Sequence, residues 1–252
     1  MKDTQLAEGK TFSLALSEKL DSVGSALPQD FNKARFVQNA ISLLNDNPNL
    51  AKYGQNQLIA GLMKGAYLGL DFYSKECYLI PYGSTLNYQT DYRGEKKLAK
   101  KYSIRPIRDI YAEIVREDDV FSIGIKDNER VINFEPKPFN TGKIIGAFAV
   151  VEYVDGGIGT DMMSVDELEK TRSHSRAANS MAWKDFTSEM YKKTVLRRLC
   201  KHIEIDFENA MQRSVYADEM AIETDPQILS EKEIEECANK EELEIIDGEA
   251  FE

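Results

Sequence analysis

Cys77-Tyr78-Leu79-Ile80-Pro81-Tyr82-Gly83-Ser84-Thr85-Leu86-Asn87-Tyr88-Gln89-Thr90-Asp91-Tyr92 runs straight into Arg93-Gly94-Glu95-Lys96-Lys97-Leu98-Ala99-Lys100-Lys101. The first part reads as two strands, Cys77 to Pro81 and Thr85 to Tyr92, around Tyr82-Gly83-Ser84. Leu86, Tyr88, Thr90 and Tyr92 alternate with Thr85, Asn87, Gln89 and Asp91, the pattern of a half-buried strand. The second part changes period. At about 100° per residue, Arg93, Lys96, Lys97, Lys100 and Lys101 fall within an arc of roughly 140°, and Leu98, Ala99 and Tyr102 face away. A hairpin feeding a cationic helix with an apolar back predicts an α+β fold, a mixed sheet with a β-hairpin flanked by helices.

Upstream, Phe12 to Leu27 reads as a weak helix. Asp30 to Asn45 is a better one, with Phe36, Val37, Ala40, Ile41 and Leu44 at helical spacing and Asn45-Asp46-Asn47-Pro48 as its stop. Asn56 to Leu70 forms a third, in which Gly61, Gly65 and Gly69 recur every fourth residue. That stripe lets another backbone approach closely. Packing inside the subunit is the favoured reading, with a subunit contact as the alternative.

Downstream, Ile107 to Arg116, Val120 to Ile125, Val131 to Phe134 and Ile144 to Tyr153 supply further strands, for a mixed sheet of about five. Ser164 with Glu167 resembles a capping box opening a helix over Val165 to Thr171. Trp183 to His202 reads as a second basic helix. Trp183, Phe186 and Met190 share one side, Lys193, Arg197, Arg198 and Lys201 continue along it, and Val195, Leu196 and Leu199 turn away. Such a helix packs at its start and offers its later turns to a polyanion.

The net charge of −11 over 252 residues argues against nucleic acid until it is divided along the chain. Residues 206–252 hold 16 Asp/Glu and three Lys/Arg, so the other 205 residues carry a net of +2. Acidity belongs to the tail, and the body is nearly neutral with concentrated basic faces. In that tail Ser230 with Glu233 could cap a short helix, and Ile228, Leu229, Ile234, Leu243, Ile245 and Ile246 are sparse anchors. The expectation is marginal helices on a flexible tether.

The three cysteines, Cys77, Cys200 and Cys237, are widely spaced with no C-x-x-C pair, so neither a disulfide framework nor a zinc site is expected. No stretch approaches the roughly 18 apolar residues of a membrane span, and Met1 to Gln5 lacks the order of a secretory signal. A cytoplasmic protein with no membrane partner is expected.

Bond chemistry finds little support. Gly9-Lys10-Thr11 resembles the end of a P-loop, but Thr4 stands where that motif needs its first glycine. Gly156-Gly157-Ile158-Gly159 reads as a tight turn. His174 and His202 have no ligand set nearby in sequence. Asp91, Glu95 and Lys97 offer a superficial nuclease pattern, yet Glu95 points about 200° from Arg93 on its helix. Glu135-Pro136-Lys137 is interrupted by proline. What remains is a binding surface of lysines and arginines beside tyrosines, with Tyr88 and Tyr92 as candidate platforms for stacked bases.

Three stretches together resemble the RecT family of phage recombinases, over about residues 35–205. They are Leu58 to Leu70; Tyr78-Leu79-Ile80-Pro81-Tyr82 through Asp91-Tyr92-Arg93-Gly94; and Trp183-Lys184-Asp185-Phe186 through Met190, Lys193, Thr194, Arg197, Arg198 and Leu199. The resemblance implies a single-strand DNA annealing protein that makes and breaks no bonds, needs no ATP or other cofactor, and has magnesium at most as an aid. It implies rings or helical filaments, work in phage or prophage recombination, and a partner exonuclease. The core it implies has the hairpin-and-sheet plan of other annealing proteins. Carried over by motif position, Arg93, Lys96, Lys97, Lys193, Arg197 and Arg198 contact phosphate. Lys100, Lys101, Arg105, Arg172, Arg176 and Lys201 join them from charge and helical position alone.

On this reading residues 1–55 are a helical region supplying subunit contacts and 56–205 the annealing core. Residues 206–252 are an acidic tail or docking segment for the exonuclease and a host single-strand-binding protein. Lys97 and Arg197 are expected to open on one shared trough holding single-stranded DNA and the annealed duplex. A metal-dependent nuclease and a structural assembly protein without DNA activity stay open as alternatives.

Overall fold

The computed structural model describes residues 2–126, 129–175 and 178–224. Helix α1 (Lys2–Ser22) buries Phe12, Leu16 and Leu20, one residue per turn. Helix α2 (Lys33–Asp46) starts at Asn32, whose side chain accepts from the Arg35 N–H at 2.9 Å. Helix α3 (Gly54–Leu68) ends at Gly69, whose φ of +67° closes the last turn in the left-handed region.

The glycine stripe of α3 is used inside the chain. A Cβ on Gly61 would lie 2.6 Å from Leu79, and one on Gly65 would lie 2.6 Å from Phe72. Strands β1 (Cys77–Tyr82) and β2 (Thr85–Thr90) form the predicted hairpin, with Leu79 opposite Tyr88. Its buried face, Cys77, Leu79 and Tyr88, packs on α3 in one core with α1 and α2.

Helix α4 (Tyr92–Tyr102) follows, then β3 (Ile107–Arg116), β4 (Val120–Lys126), β5 (Glu129–Glu135), β6 (Ile144–Tyr153) and β7 (Ile158–Ser164). Helices α5 (Val165–Ser173), α6 (Met181–Asp185), α7 (Thr187–Lys201) and α8 (Ala210–Thr224) complete the chain's described part. The capping box of α5 forms as expected between Ser164 and Glu167.

The fold is α+β. In place of one mixed sheet, the described strands make three antiparallel ones: β1–β2, β3–β6–β7 with β6 central, and β4–β5. The reason lies in β6, which is apolar on both faces. Ala147, Ala149 and Val151 meet Val195 and Leu199 of α7, whereas Phe148 and Val150 meet Phe121 and Phe134 of the β4–β5 hairpin. That hairpin covers the sheet as a separate layer instead of extending it.

Two other expectations change. Trp183 to His202 is two helices, broken at Phe186 (φ −125°, ψ 39°), where the Thr187 hydroxyl donates to the Trp183 carbonyl at 2.8 Å. Trp183 is buried there and Phe186 is 63% exposed. The acidic stretch beginning at Asp206 is also not tether throughout. Phe207 and Val215 are buried in the core shared with α3, and Asn209 caps α8 by accepting from the Gln212 N–H at 3.0 Å. Residues 225–252, with the possible Ser230 cap, the sparse anchors and Cys237, lie outside the described residues.

Candidate nucleic-acid interface

The hairpin delivers α4 through Asp91, whose side chain caps the helix and whose N–H donates to the Glu76 carbonyl at 2.9 Å. Gly94 is what lets the first turn lie there, since a Cβ would stand 2.3 Å from that same carbonyl. Leu98 and Tyr102 anchor α4 in the helical core, and Ala99 anchors it in the core of α7 and the three-stranded sheet. Just past the two helix ends, Ser103 bridges Ile205 and the Asp206 N–H donates to the Tyr102 carbonyl at 2.8 Å. The two basic segments are therefore neighbours.

Tyr92 marks their junction. The Arg93 guanidinium lies 5.7 Å from its ring centroid and the Lys193 ammonium 5.1 Å, and Arg93 Nε donates to Tyr92 Oη at 3.2 Å. That hydrogen bond to the Tyr92 oxygen holds the Arg93 pKa up. Arg93 is exposed, and Tyr92 and Lys193 are half-buried. Tyr78 belongs to the same patch: burial pushes its hydroxyl pKa up, Asp91 adds to this and Arg93 opposes it. Sequence reasoning missed Tyr78, although it faces outward in the quoted hairpin and is 38% exposed. Lys96, half-buried, lies where its charge acts on both Asp109 and Cys200.

The other predicted cations engage their own chain. Lys97 donates to the Gly69 carbonyl at 2.9 Å and to Glu76 at 2.7 Å, closing the C-terminus of α3. Lys101 pairs with Asp30, and its ammonium lies 5.1 Å from the Tyr102 centroid. Arg172 donates to the Ala178 carbonyl at 2.9 Å, pairs with Glu169 and covers Trp183. Arg198 grips Asp161 with two hydrogen bonds, 2.7 and 2.6 Å, and pairs with Glu167.

Lys100 pairs with Asp109, and Arg105 pairs with Asp155 while stacking 3.9 Å from the Tyr153 centroid; both pairs are exposed. Arg197 faces Glu219 at 3.9 Å. Lys201 is half-buried and engaged. Arg176 lies outside the described residues. Lys97 and Arg197 thus each face a carboxylate of this chain, Glu76 and Glu219 respectively.

Tyr88 is not a platform. Its ring is buried edge-on against Phe72, its hydroxyl lies 3.2 Å from Thr90 Oγ1, and desolvation drives its pKa well above the usual tyrosine value. A tyrosine on the inward face of a strand packs before it stacks.

The nuclease pattern disperses. Asp91 is a helix cap, Glu95 is buried where Tyr216 Oη donates to it at 3.1 Å, and Lys97 is turned to Glu76. Among the described residues no three His, Cys, Asp or Glu side chains gather as a metal site would require, and no described helix is long and apolar enough to cross a membrane.

Comparison with known proteins matches the RecT family over residues 34–235. Protein RecT of Escherichia coli (strain K12) is 28% identical over 209 residues, covering 79% of this chain and 76% of that protein. The match spans the hairpin, both basic segments and the end of α8. The chain belongs to the RecT family.

Proposed function

We propose that this chain binds single-stranded DNA and anneals complementary strands in phage or prophage recombination, without ATP or bond chemistry. Membership of the RecT family supports a recombination-related single-strand annealing protein. The observation that carries the reading to particular residues is the Tyr92 ring with both the Arg93 guanidinium and the Lys193 ammonium beside it. An aromatic face flanked by cations stacks a base while neutralising the phosphates on either side. Lys96 and Tyr78 extend that surface.

Lys100 and Arg105 stay in the proposal because exposed ion pairs are worth only about 0–1 kcal/mol, and a phosphate can exchange into them. Lys97, Lys101, Arg172 and Arg198 are assigned to holding the fold. Annealing then requires one strand held by its backbone with bases outward while a second samples register. Weak sites repeated along a ring or filament supply this through effective concentration, with residues 1–55 assigned the subunit contacts. Residues 225–252 are assigned to docking the exonuclease and the host single-strand-binding protein. The work is assigned to the cytoplasm.

The test is to mix complementary oligonucleotides with the protein, without nucleotide, and follow duplex formation against salt. Acceleration that fades as salt rises, with the oligonucleotides recovered at full length, is the expected result. No acceleration at any salt overturns the reading, and shortened strands in magnesium make the protein a nuclease.

A further inference from the structure

Helix α8 carries polar side chains inward, against the habit of a surface helix. Gln212 is fully enclosed and donates to Tyr102 Oη at 3.2 Å, and Tyr216 donates to the buried Glu95. One turn on, Glu219 is only 6% exposed. Its carboxylate accepts from both the N–H of Thr90 and, at 2.6 Å, Thr90 Oγ1, and the Arg197 guanidinium stands 3.9 Å away. A backbone N–H, a hydroxyl and a guanidinium converging on two anionic oxygens is a donor set that suits phosphate equally well.

The location matters as much as the chemistry. Arg197 follows Lys193 by one turn on the same side of α7, and Thr90 precedes Tyr92 by two residues. The seat therefore continues the Tyr92–Arg93–Lys193 surface beneath α8. We propose that Thr90 and Arg197 form a seat for a backbone phosphate of the bound strand, that Glu219 occupies it in the free protein, and that DNA displaces Glu219 by lifting the end of α8. This rests on the single-strand DNA reading above and adds to it a site and an order of events.

The device acts as a threshold. An isolated phosphate gains no more from the seat than Glu219 already does. A polynucleotide that also engages Arg93, Lys193 and neighbouring subunits competes with the carboxylate through many contacts at once. Because Glu219 and a backbone phosphate compete for the same seat, release of α8 and binding of the strand favour each other.

The experiment uses the full chain, fluorescent oligo(dT) and Glu219→Gln, which keeps the shape and removes the charge. Affinity should rise about five- to tenfold at moderate salt, and the gain should vanish when Arg197→Gln is added. In the unaltered protein, hydrogen exchange of the amides from Glu219 to Thr224 should speed up on adding oligo(dT). Unchanged or weaker binding by Glu219→Gln at the original melting temperature overturns the proposal. So does slower exchange in α8 with DNA, a measurement that needs no variant and holds even where Glu219→Gln misfolds. If Arg93→Ala and Lys193→Ala bind oligo(dT) as the parent does, the DNA site itself is wrong. If those two lose binding while Glu219→Gln gains none, only the seat is.

Discussion

The Lys193 ammonium on α7 lies 5.1 Å from the centroid of the Tyr92 ring at the start of α4, and this contact joins the two basic segments into one surface. The two residues contribute differently, and their variants should separate. Lys193→Ala removes one charge, so affinity for oligo(dT) falls and the slope of log affinity against log salt becomes shallower by about 0.7. Tyr92→Ala removes a stacking face at a cost of about 1–3 kcal/mol with the slope unchanged. Tyr92→Phe keeps the face, loses only the bond from Arg93, and should bind nearly as the parent. Anisotropy titrations across a salt series read all three.

Arg198 should behave as a structural residue although it sits beside Arg197 in the motif. By motif position both residues are expected to contact phosphate. Arg198, however, is held by Asp161 and also donates to the Met162 carbonyl at 2.5 Å. Arg198→Ala should cost about 1–3 kcal/mol of stability and leave DNA affinity per folded molecule nearly unchanged. Lys97→Met should do the same in kind by uncapping α3. Urea denaturation, with binding measured in native buffer, checks both.

The hairpin, the α4 helix, strands β3 and β6 and the Ser164 capping box were legible because each is written locally, in alternation, in helical spacing or in a cap. Arrangement was not. That β6 is covered by helices on one face and by the β4–β5 hairpin on the other depends on partners far away in sequence. The site was legible in part for the same reason. Charge periodicity identifies which lysines leave a helix on one side, but not that Glu76, Asp30 or Asp161 waits opposite Lys97, Lys101 or Arg198. Tyr88 and Tyr92 lie on the same face of the sequence pattern. Only tertiary packing distinguishes the ring that fills the core from the one with cations beside it. The acidic composition of residues 206–252 hid α8, which packs through Val215 and Tyr216 and turns the polar Gln212 and Glu219 inward.

Acid should loosen the α5 end of the molecule. The N–H and hydroxyl of Ser164 both donate to Glu167, holding its carboxyl below the usual glutamate value; Arg198 adds to this and desolvation opposes it. With the folded pKa depressed, the unfolded chain takes up the proton first as pH falls. The stabilisation is therefore complete above about pH 5 and is lost as pH drops from about 4.3 through the folded value. Glu167→Gln retains acceptor geometry without the titration, so its urea midpoint should depend less steeply on pH between 3 and 5. An equal slope in both proteins would remove Glu167 as the source.

Gly94→Ala reverses the ordinary sign of a helical substitution. Alanine inside a helix normally gains about 1 kcal/mol over glycine. Here the added Cβ would stand 2.3 Å from the Glu76 carbonyl oxygen and 2.7 Å from Thr90 Cγ2. Backbone has no rotamer to yield, so α4 must back away from the hairpin, and overpacking of this kind costs about 1–3 kcal/mol. The shift would carry Tyr92 and Arg93 with it and part Tyr92 from Lys193. Gly94→Ala should therefore lower both the melting temperature and the affinity of the remaining folded protein for oligo(dT). Gly24→Ala, where a Cβ meets nothing within 4 Å, should change neither. If Gly94→Ala melts lower but binds unchanged, the seating of α4 on the hairpin matters for stability alone, and the junction at Tyr92 tolerates its movement.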